Sequence, residues 1–227
     1  MATYDLEEQE QLAEMKAWWK QYGNLVTGIV AAAAIGVIAW QGWNWYQRSQ
    51  AGQASMVYNV LQKAVMEKDL QRAKAASGEL LEKFGRTTYA PLGALTAAKA
   101  MFDSGDLKTA KLQLTWVVEH GNDELRDLAR LRLAAVLLDE KAYDEALKQL
   151  DGKTAPGFAV RFAESRGDVL GAQGKKEEAR SAYQAALAKL DEADASGKGK
   201  NSLQDKQANA PYREMLQQKL DSLGGSK

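Results

Sequence analysis

Few side chains in this 227-residue chain have the chemistry and spacing that catalysis requires. The one histidine, His120, ends a predicted helix, where the helix dipole favours its charge without any catalytic role. Glu177 and Glu178 could act as a general acid and base, but they begin a polar helix, which favours a solvated face. Cysteine is absent, and neither a phosphate-binding glycine loop nor a cluster with metal-ligand spacing occurs. The sequence predicts a protein that is not an enzyme and holds no metal or cofactor.

The composition indicates which elements must carry another kind of function. Charged residues make up 26% of the chain, hydrophobic residues make up 45%, and the net charge is zero. A nucleic-acid-binding protein normally carries a basic excess, so we expect no nucleic-acid partner. The chain has three prolines and is rich in Ala, Leu, Lys, Glu and Gln, which predicts an all-α fold.

An apolar run near the N-terminus has the properties of a transmembrane helix. Leu25 to Trp40 is interrupted only by Thr27, and no charged residue occurs over 21–47. About 22 helical residues span roughly 33 Å, the thickness of the hydrocarbon core of a lipid bilayer. Aromatic residues with polar edges, which prefer the membrane interface, flank both ends of the run: Trp18, Trp19, Tyr22, Trp40, Trp43, Trp45 and Tyr46. We predict a membrane span at 24–46.

A cleaved signal peptide is the alternative interpretation of this run. The leader at 1–23 is long and acidic and the run ends in tryptophans, so we favour an uncleaved signal anchor. Lys16 and Lys20 precede the span, whereas only Arg48 follows it closely. The positive-inside rule then favours a cytoplasmic N-terminus.

Two helical faces of the N-terminal segment could make contacts. Gly28, Ala32 and Gly36 recur at every fourth position and could let a second membrane helix approach closely, although such residues are also common in membrane helices. In the leader, an amphipathic face suited to the membrane interface is formed by Leu12, Met15, Trp19 and Tyr22.

Beyond Gln50 the chain repeats a pattern of helix, turn and helix four times. An anchor alanine occurs at the same place in each second helix, with a spacing of about 33 to 37 residues: Ala73, Ala110, Ala146 and Ala179. The first helices carry a small residue for close packing at Ala98, Ala134 and Gly167. Large residues flank the anchors at Leu70, Leu107, Leu114, Tyr143, Leu150 and Tyr183, but Ser77 stands where the first unit should have one. The period predicts a tetratricopeptide-like α-solenoid of about four helical pairs over 47–190.

The C-terminal residues continue this organisation. The stretch 191–210 is polar and predicts a loop. Pro211 is suited to the first position of a new helix, over 211–227 with its tail. An apolar stripe on this helix can cap the array: Tyr212, Met215, Leu216, Leu220 and Leu223.

The repeat register also predicts a partner groove, because the first helices line the inner surface of such an array. The predicted groove residues are Tyr58, Val65, Met66, Leu92, Leu95, Lys99, Phe102, Leu128, Leu131, Leu138, Arg161, Glu164 and Asp168. In the first three units most of them are apolar, which suits an extended apolar segment or an apolar helix. The alternative is that these side chains pack against neighbouring helices or the cap.

The whole arrangement resembles one bacterial family, the ancillary subunits of the SecYEG translocon. The resemblance rests on the leader "EEQEQLAEMKAWWKQYGN", the span, the divergent array and the tail helix "KLDSL". It covers nearly the whole chain, and its sharpest mark is Lys16, Trp18, Trp19 and Lys20 followed by Gly23.

This resemblance implies a single-pass inner-membrane protein with a cytoplasmic N-terminus and a periplasmic array. Its implied partners are the SecYEG translocon, a membrane-anchored periplasmic chaperone of the peptidyl-prolyl isomerase type, and exported polypeptides after they emerge. It supplies no catalytic residues. Two other functions stay open: an envelope-assembly scaffold, and a stress regulator acting through the cytoplasmic leader.

Overall fold

The computed structural model describes residues 2–196 and 202–224, and the chain divides into two compact units, Met1–Gly52 and Gln53–Lys227. The described residues form α-helices and one short 3-10 helix, with no β-strand among them. The predicted all-α fold is therefore confirmed.

The first unit consists of helix α1, which begins at Ala2 and runs on to Met66, so that its residues 53–66 belong to the second unit. The apolar run is exposed along the first unit: Ile35 is 67% exposed, Ile38 is 70% exposed and Trp40 is 68% exposed. A core helix of a water-soluble domain would bury such side chains. Within the described residues, one helical segment, Glu10–Met66, is long and apolar enough to cross a membrane.

The second unit consists of antiparallel helical pairs that follow the end of α1. Their elements are α2 (Leu70–Phe84), α3 (Tyr89–Asp103), α4 (Leu107–His120), α5 (Asp123–Asp139), α6 (Tyr143–Gln149), a 3-10 helix (Pro156–Phe158), α7 (Ala159–Ala172), α8 (Lys176–Ser196) and α9 (Ser202–Ser222). The end of α1 shares a core cluster with α2, and α3 packs against α4, α5 against α6 and α7 against α8, which makes four helical pairs. Helix α9 packs after them against α8.

Small residues at fixed positions allow the helices of each pair to approach closely. The four anchor alanines, Ala73, Ala110, Ala146 and Ala179, have no exposed surface, as the repeat pattern predicts. Gly167 shows how tight this contact is, because a Cβ atom added there would lie 2.5 Å from Cε1 of Tyr183. A glycine is required at this position because the ring of Tyr183 occupies the space of any side chain.

All four pairs use the same turn between their helices. One residue in each turn has positive φ: Lys68 (59°), Gly105 (85°), Lys141 (60°) and Gly174 (83°). The next residue then donates its N–H to a carbonyl of the preceding helix; Asp106 to Met101 (2.9 Å) and Ala142 to Leu137 (2.8 Å) are two examples. These bonds are typical of a Schellman motif, which satisfies the last carbonyls of the first helix.

A buried polar pair explains why the first helical pair departs from the repeat pattern. Ser77 is fully buried on α2, where the pattern calls for a large apolar residue. Its hydroxyl donates a hydrogen bond of 2.8 Å to Oε1 of Gln113 on α4. A small residue is needed there because the Gln113 side chain fills the space and supplies the hydrogen-bond acceptor.

Arg130 holds the connection between the third and fourth pairs. Helix α6 has only 7 residues, and the chain then crosses without helix to Pro156. Arg130 donates to the carbonyl oxygens of Gln149 (2.8 Å) and Lys153 (3.2 Å) and also to that of Asp151. These bonds replace the helical hydrogen bonds that the short α6 does not form.

The prediction of a polar loop over 191–210 is wrong for most of that stretch. Helix α8 continues to Ser196, and α9 begins at Ser202, so that Pro211 lies inside α9 and is not its first residue. The polar residues are ordered by pairing with one another: Asp194, only 3% exposed, accepts hydrogen bonds from Asn209 (2.7 Å) and Arg213 (2.9 Å). Because both partners lie on α9, Asp194 joins the two helices.

Candidate partner groove

Two neighbouring cavities lie along the first helices of the array, and we call them together the groove. The first has a volume of about 330 Å³ between the end of α1, α3 and α5, and it is lined by Val65, Leu92, Leu95, Thr96, Lys99, Ala100, Asp103, Leu125, Leu128 and Arg132. The second has a volume of about 310 Å³, and it is lined by Ala98, Lys99, Phe102, Asp103, Leu114, Arg132, Ala135 and Val136. Both walls are mainly apolar, as binding surfaces for polypeptides commonly are.

Several predicted groove residues meet at these cavities. Val65, Leu92, Leu95 and Lys99 share the first cavity with Leu128. Leu92 is 37% exposed, whereas Leu95 is 5% exposed and forms the floor more than the rim. Phe102 lines the second cavity and is half-buried. The apolar surface available to a partner is thus smaller than the sequence pattern predicts.

Other predicted groove residues of the first three pairs lie outside both cavities. Tyr58 packs its ring against Tyr89, with ring centres 5.7 Å apart. Met66 is 84% exposed at the end of α1. Leu131 and Leu138 are half-buried against the core cluster of the central helices. Tyr58, Leu131 and Leu138 therefore pack within the chain, as the alternative interpretation predicts, whereas Met66 does not.

The prediction that Glu164 and Asp168 line an open groove is wrong, because α9 covers them. The Tyr212 hydroxyl donates a hydrogen bond of 2.6 Å to Glu164. Lys219 Nζ donates to Glu164 (2.7 Å) and to both oxygens of Asp168 (2.7 and 2.9 Å). Tyr183 also donates to Asp168, at 2.7 Å. Arg161 is exposed at the N-terminal end of the same helix. The last pair is therefore closed by the cap.

The protonation of this cluster follows from its burial and its carboxylates. Burial raises the pKa of Tyr183 and of Tyr212 well above the ordinary value, and the hydrogen bonds to Asp168 and Glu164 raise it further. For Lys219, burial alone would lower the pKa, but the hydrogen bonds to Asp168 and Glu164 outweigh burial and raise it. All three groups therefore stay protonated near neutral pH.

Arg132 is a groove residue that the sequence analysis missed. It lies on α5, lines both cavities and is half-buried. Its Nη1 donates a hydrogen bond of 3.2 Å to the carbonyl oxygen of Leu95, and burial lowers the pKa of its guanidinium. The signal was present in the sequence, because Arg132 follows Leu125 and Leu128 at helical spacing and thus shares their face.

The remaining charges of the groove are already paired. Lys99 Nζ lies 2.7 Å from Oδ2 of Asp103 at the exposed rim. Across the part of the chain that the structure describes, no group of three or more His, Asp or Glu residues could hold a metal ion. The side chains that line the groove show no arrangement for acid–base or nucleophilic chemistry.

The predicted membrane residues all lie on the first unit and are exposed. Their exposed fractions range from 42% for Tyr22 to 72% for Trp45, and the other members are Trp18, Trp19, Trp40, Trp43 and Tyr46. The ring of Trp18 lies beside that of Tyr22 and the ring of Trp43 beside that of Tyr46, with ring centres 5.8 and 6.1 Å apart. On the face formed by Gly28, Ala32 and Gly36, a Cβ atom added at either glycine would meet no atom within 4 Å. This face is open in the single chain, and its contact with a second helix stays a prediction.

The helical pairs and the groove define a tetratricopeptide-like repeat protein that also carries a helix able to cross a membrane. A family model described as a tetratricopeptide repeat-like domain matches residues 16–225. A relative from Neisseria gonorrhoeae, named ancillary SecYEG translocon subunit, is 34% identical over 223 residues, 96% of this chain and 98% of the relative. Relatives of the same name from Escherichia coli K12 (33% identical, 79% of this chain and 87% of the relative) and Haemophilus influenzae (29%, 81% and 90%) also match.

The chain belongs to the family of ancillary SecYEG translocon subunits, which confirms the resemblance drawn from its sequence. This membership and the apolar segment of α1 fit a single-pass inner-membrane protein. Among solved structures, MamA from Desulfovibrio magneticus RS-1, residues 41 to the end, is 19% identical with a TM-score of 0.49, covering 76% of this chain and 97% of that one.

Proposed function

We propose that this protein is a non-enzymatic inner-membrane adaptor whose repeat array works beside the Sec translocon. In this proposal the array binds the SecYEG translocon and a membrane-anchored periplasmic chaperone of the peptidyl-prolyl isomerase type. Bringing the two together would assist exported polypeptides as they leave the translocon. The observation that carries the proposal is the match to translocon subunits over nearly the whole chain, including the segment before the array.

The proposal includes an orientation with the N-terminus in the cytoplasm and the array in the periplasm. Lys16 and Lys20 support it, since they precede the apolar run, whereas Arg48 is the one cation that follows it closely. Exposed tryptophans on either side of the run would lie at the two membrane interfaces. An array on the periplasmic side would meet chains that have just crossed the membrane.

The groove is the proposed contact surface for the partner. Its apolar walls come from the first helices of three successive pairs, and Leu92 keeps 37% of its surface exposed at the rim. Burying a leucine of this kind stabilises a complex by about 1 kcal/mol, given that part of its surface is already covered. The groove would therefore give a moderate affinity that suits transient contacts with a working translocon.

Co-purification of the full chain from membranes in mild detergent tests this proposal. We expect translocon and chaperone subunits with the wild-type chain, and a clear loss of one or both with Leu92→Glu in the groove. Leu112→Glu is the matched control, because Leu112 is 63% exposed on α4, a second helix of the array, and lines neither cavity. Recovery of cell-wall or outer-membrane assembly proteins instead of the translocon would favour an envelope scaffold and contradict the proposal.

A further inference from the structure

Arg132 differs from the other arginines of its helix in how few bonds it forms. On α5, Arg126 donates to Asp123 and to two backbone carbonyls. Arg130 donates to Asp127 and to three backbone carbonyls. Arg132 is half-buried as they are, but in the described residues its one hydrogen bond goes to the carbonyl oxygen of Leu95. A guanidinium has five N–H donors, so most of the donors of Arg132 are left for another acceptor.

The neighbourhood of Arg132 supplies no carboxylate for these donors. Asp103 is the acidic residue that lines both cavities with Arg132, but its carboxylate is held by Lys99 at 2.7 Å. No ion pair of Arg132 occurs within the described ranges, and burial lowers the pKa of its guanidinium. A cation that is partly removed from water without an anion is costly, and that cost is recovered when an anion binds.

Apolar surface lies on both sides of this cation. Leu92 and Leu128 line the cavity on one side, and Phe102 and Val136 line the cavity on the other. Arg132 belongs to both walls, so it stands between two apolar sites. Successive side chains of an extended polypeptide point to opposite sides, and a planar guanidinium can bind a carboxylate through two parallel hydrogen bonds.

We propose that Arg132 binds an Asp or Glu side chain of a partner polypeptide whose neighbouring apolar residues occupy the two cavities of the groove. This inference rests on the proposed function, because it assigns the chemistry of the segment that the groove would take. It changes the earlier expectation of a purely apolar partner: the preferred segment has one acidic residue between apolar ones. Lys99 and Asp103 at the rim neutralise each other, so Arg132 is the charge of the groove that would select the acidic residue.

A displayed library of random twelve-residue peptides, selected on the full chain in detergent micelles, tests the inference. We expect the wild-type chain to enrich peptides with Asp or Glu between apolar residues, and Arg132→Met to lose the acidic preference while keeping the apolar one. Arg86→Met is the matched control, because Arg86 is exposed, has no ion pair within the described residues and lies outside both cavities. Equal acidic content in the wild-type and Arg132→Met pools would overturn the inference.

One selected peptide, synthesised with its acidic residue and with the corresponding amide, gives the quantitative test. We expect the wild-type chain to bind the acidic form roughly tenfold more tightly, and Arg132→Met to bind both forms alike. Arg132→Lys keeps the positive charge but loses the paired N–H donors of the planar guanidinium. We expect it to retain about a third of the preference for the acidic peptide. Circular dichroism and thermal unfolding of each variant establish that it is folded.

The outcomes separate this inference from the proposed function. If the wild-type chain binds the acidic and the amide peptide equally, the role of Arg132 is overturned, while the groove remains a binding surface. Binding that is unchanged by Leu92→Glu overturns the groove itself, and with it the inference. A library that yields no binding peptide contradicts both.

Discussion

Lys219 Nζ lies 2.7 Å from Oδ1 and 2.9 Å from Oδ2 of Asp168, so one lysine of the C-terminal helix is bound by both oxygens of a carboxylate on α7. The same lysine also binds Glu164 at 2.7 Å. Its side chain is 30% exposed, and the ion pairs are therefore partly shielded from water. Helix α9 thus caps the array through a specific polar contact as well as through its apolar stripe.

Lys219→Met removes this contact while keeping the length of the side chain. We expect the free energy of unfolding of the array to fall by about 1 to 3 kcal/mol, because two carboxylates lose their cation in a partly buried site. Lys83→Met is the control, since Lys83 pairs with Glu79 on an exposed surface of α2, where an ion pair contributes little to stability. Urea unfolding of the full chain in detergent micelles measures both, and equal losses would contradict the capping role of Lys219.

The same cluster predicts a loss of stability at alkaline pH. The folded chain raises the pKa of Tyr183, Tyr212 and Lys219, so it holds protons that the unfolded chain releases. Their stabilisation is complete below the unfolded values of 10.0 for tyrosine and 10.5 for lysine, and it is lost as pH rises through the folded values. Unfolding measured between pH 8 and pH 12 should show a decline that begins at about pH 10.

Tyr212→Phe provides the test of this assignment. It removes one of the three protons from the difference between the folded and unfolded states, so the decline above pH 10 should become shallower by up to about 1.4 kcal/mol per pH unit. A slope identical to that of the wild-type chain would show that Tyr212 does not take part in the alkaline transition.

Two glycines of α7 should respond to alanine in opposite directions. Gly167→Ala places a Cβ atom 2.5 Å from the Tyr183 ring, and we expect it to destabilise the array by about 1 to 3 kcal/mol. At Gly171 the added Cβ atom would lie 3.8 Å from Leu223, an ordinary contact, so the higher helix propensity of alanine should stabilise by up to about 1 kcal/mol. Thermal unfolding compares them, and two changes of the same sign would contradict the packing described at Gly167.

The repeated turns offer a stabilising substitution. Lys141 has a φ of 60°, a conformation that costs a residue with a side chain about 1 kcal/mol relative to glycine. Lys141→Gly should raise the free energy of unfolding by about that amount, because Gly105 and Gly174 already occupy the equivalent places in their turns. Gly105→Ala should lower it by a similar amount. If Lys141→Gly destabilised the chain, the turn would have to depend on the lysine side chain.

The apolar part of the fold could be predicted from the sequence, because its periodicity directly encodes burial. The anchor alanines are fully buried, and the small residues Ala98, Ala134 and Gly167 lie at helix contacts as their types require. These positions depend on residue size and spacing within one repeat. Their burial can therefore be predicted without knowing which distant polar groups come into contact.

The polar pairings could not be predicted, since each depends on a residue far away in the chain. Ser77 departs from the repeat pattern, and its partner Gln113 lies 36 residues away in the chain. Residues 191–196 and 202–210 are helical despite their polar character, and there Asp194 on α8 binds Asn209 and Arg213 on α9. Arg132 was overlooked because a cation in a helix usually faces solvent. Its spacing places it on the same face of α5 as Leu125 and Leu128, but its partial burial beside Leu95 depends on the packing of α3 against α5.

Site-specific photo-crosslinking in intact membranes tests the central claim most directly. A photoreactive amino acid replaces Leu92 at the rim of the groove, or Leu112 on α4 as the matched control, in the otherwise unchanged full chain. If the groove binds the translocon or its chaperone, position 92 should give adducts with those proteins and position 112 should give few or none. Adducts from position 112 without any from position 92 would contradict the claim that this protein works through its groove.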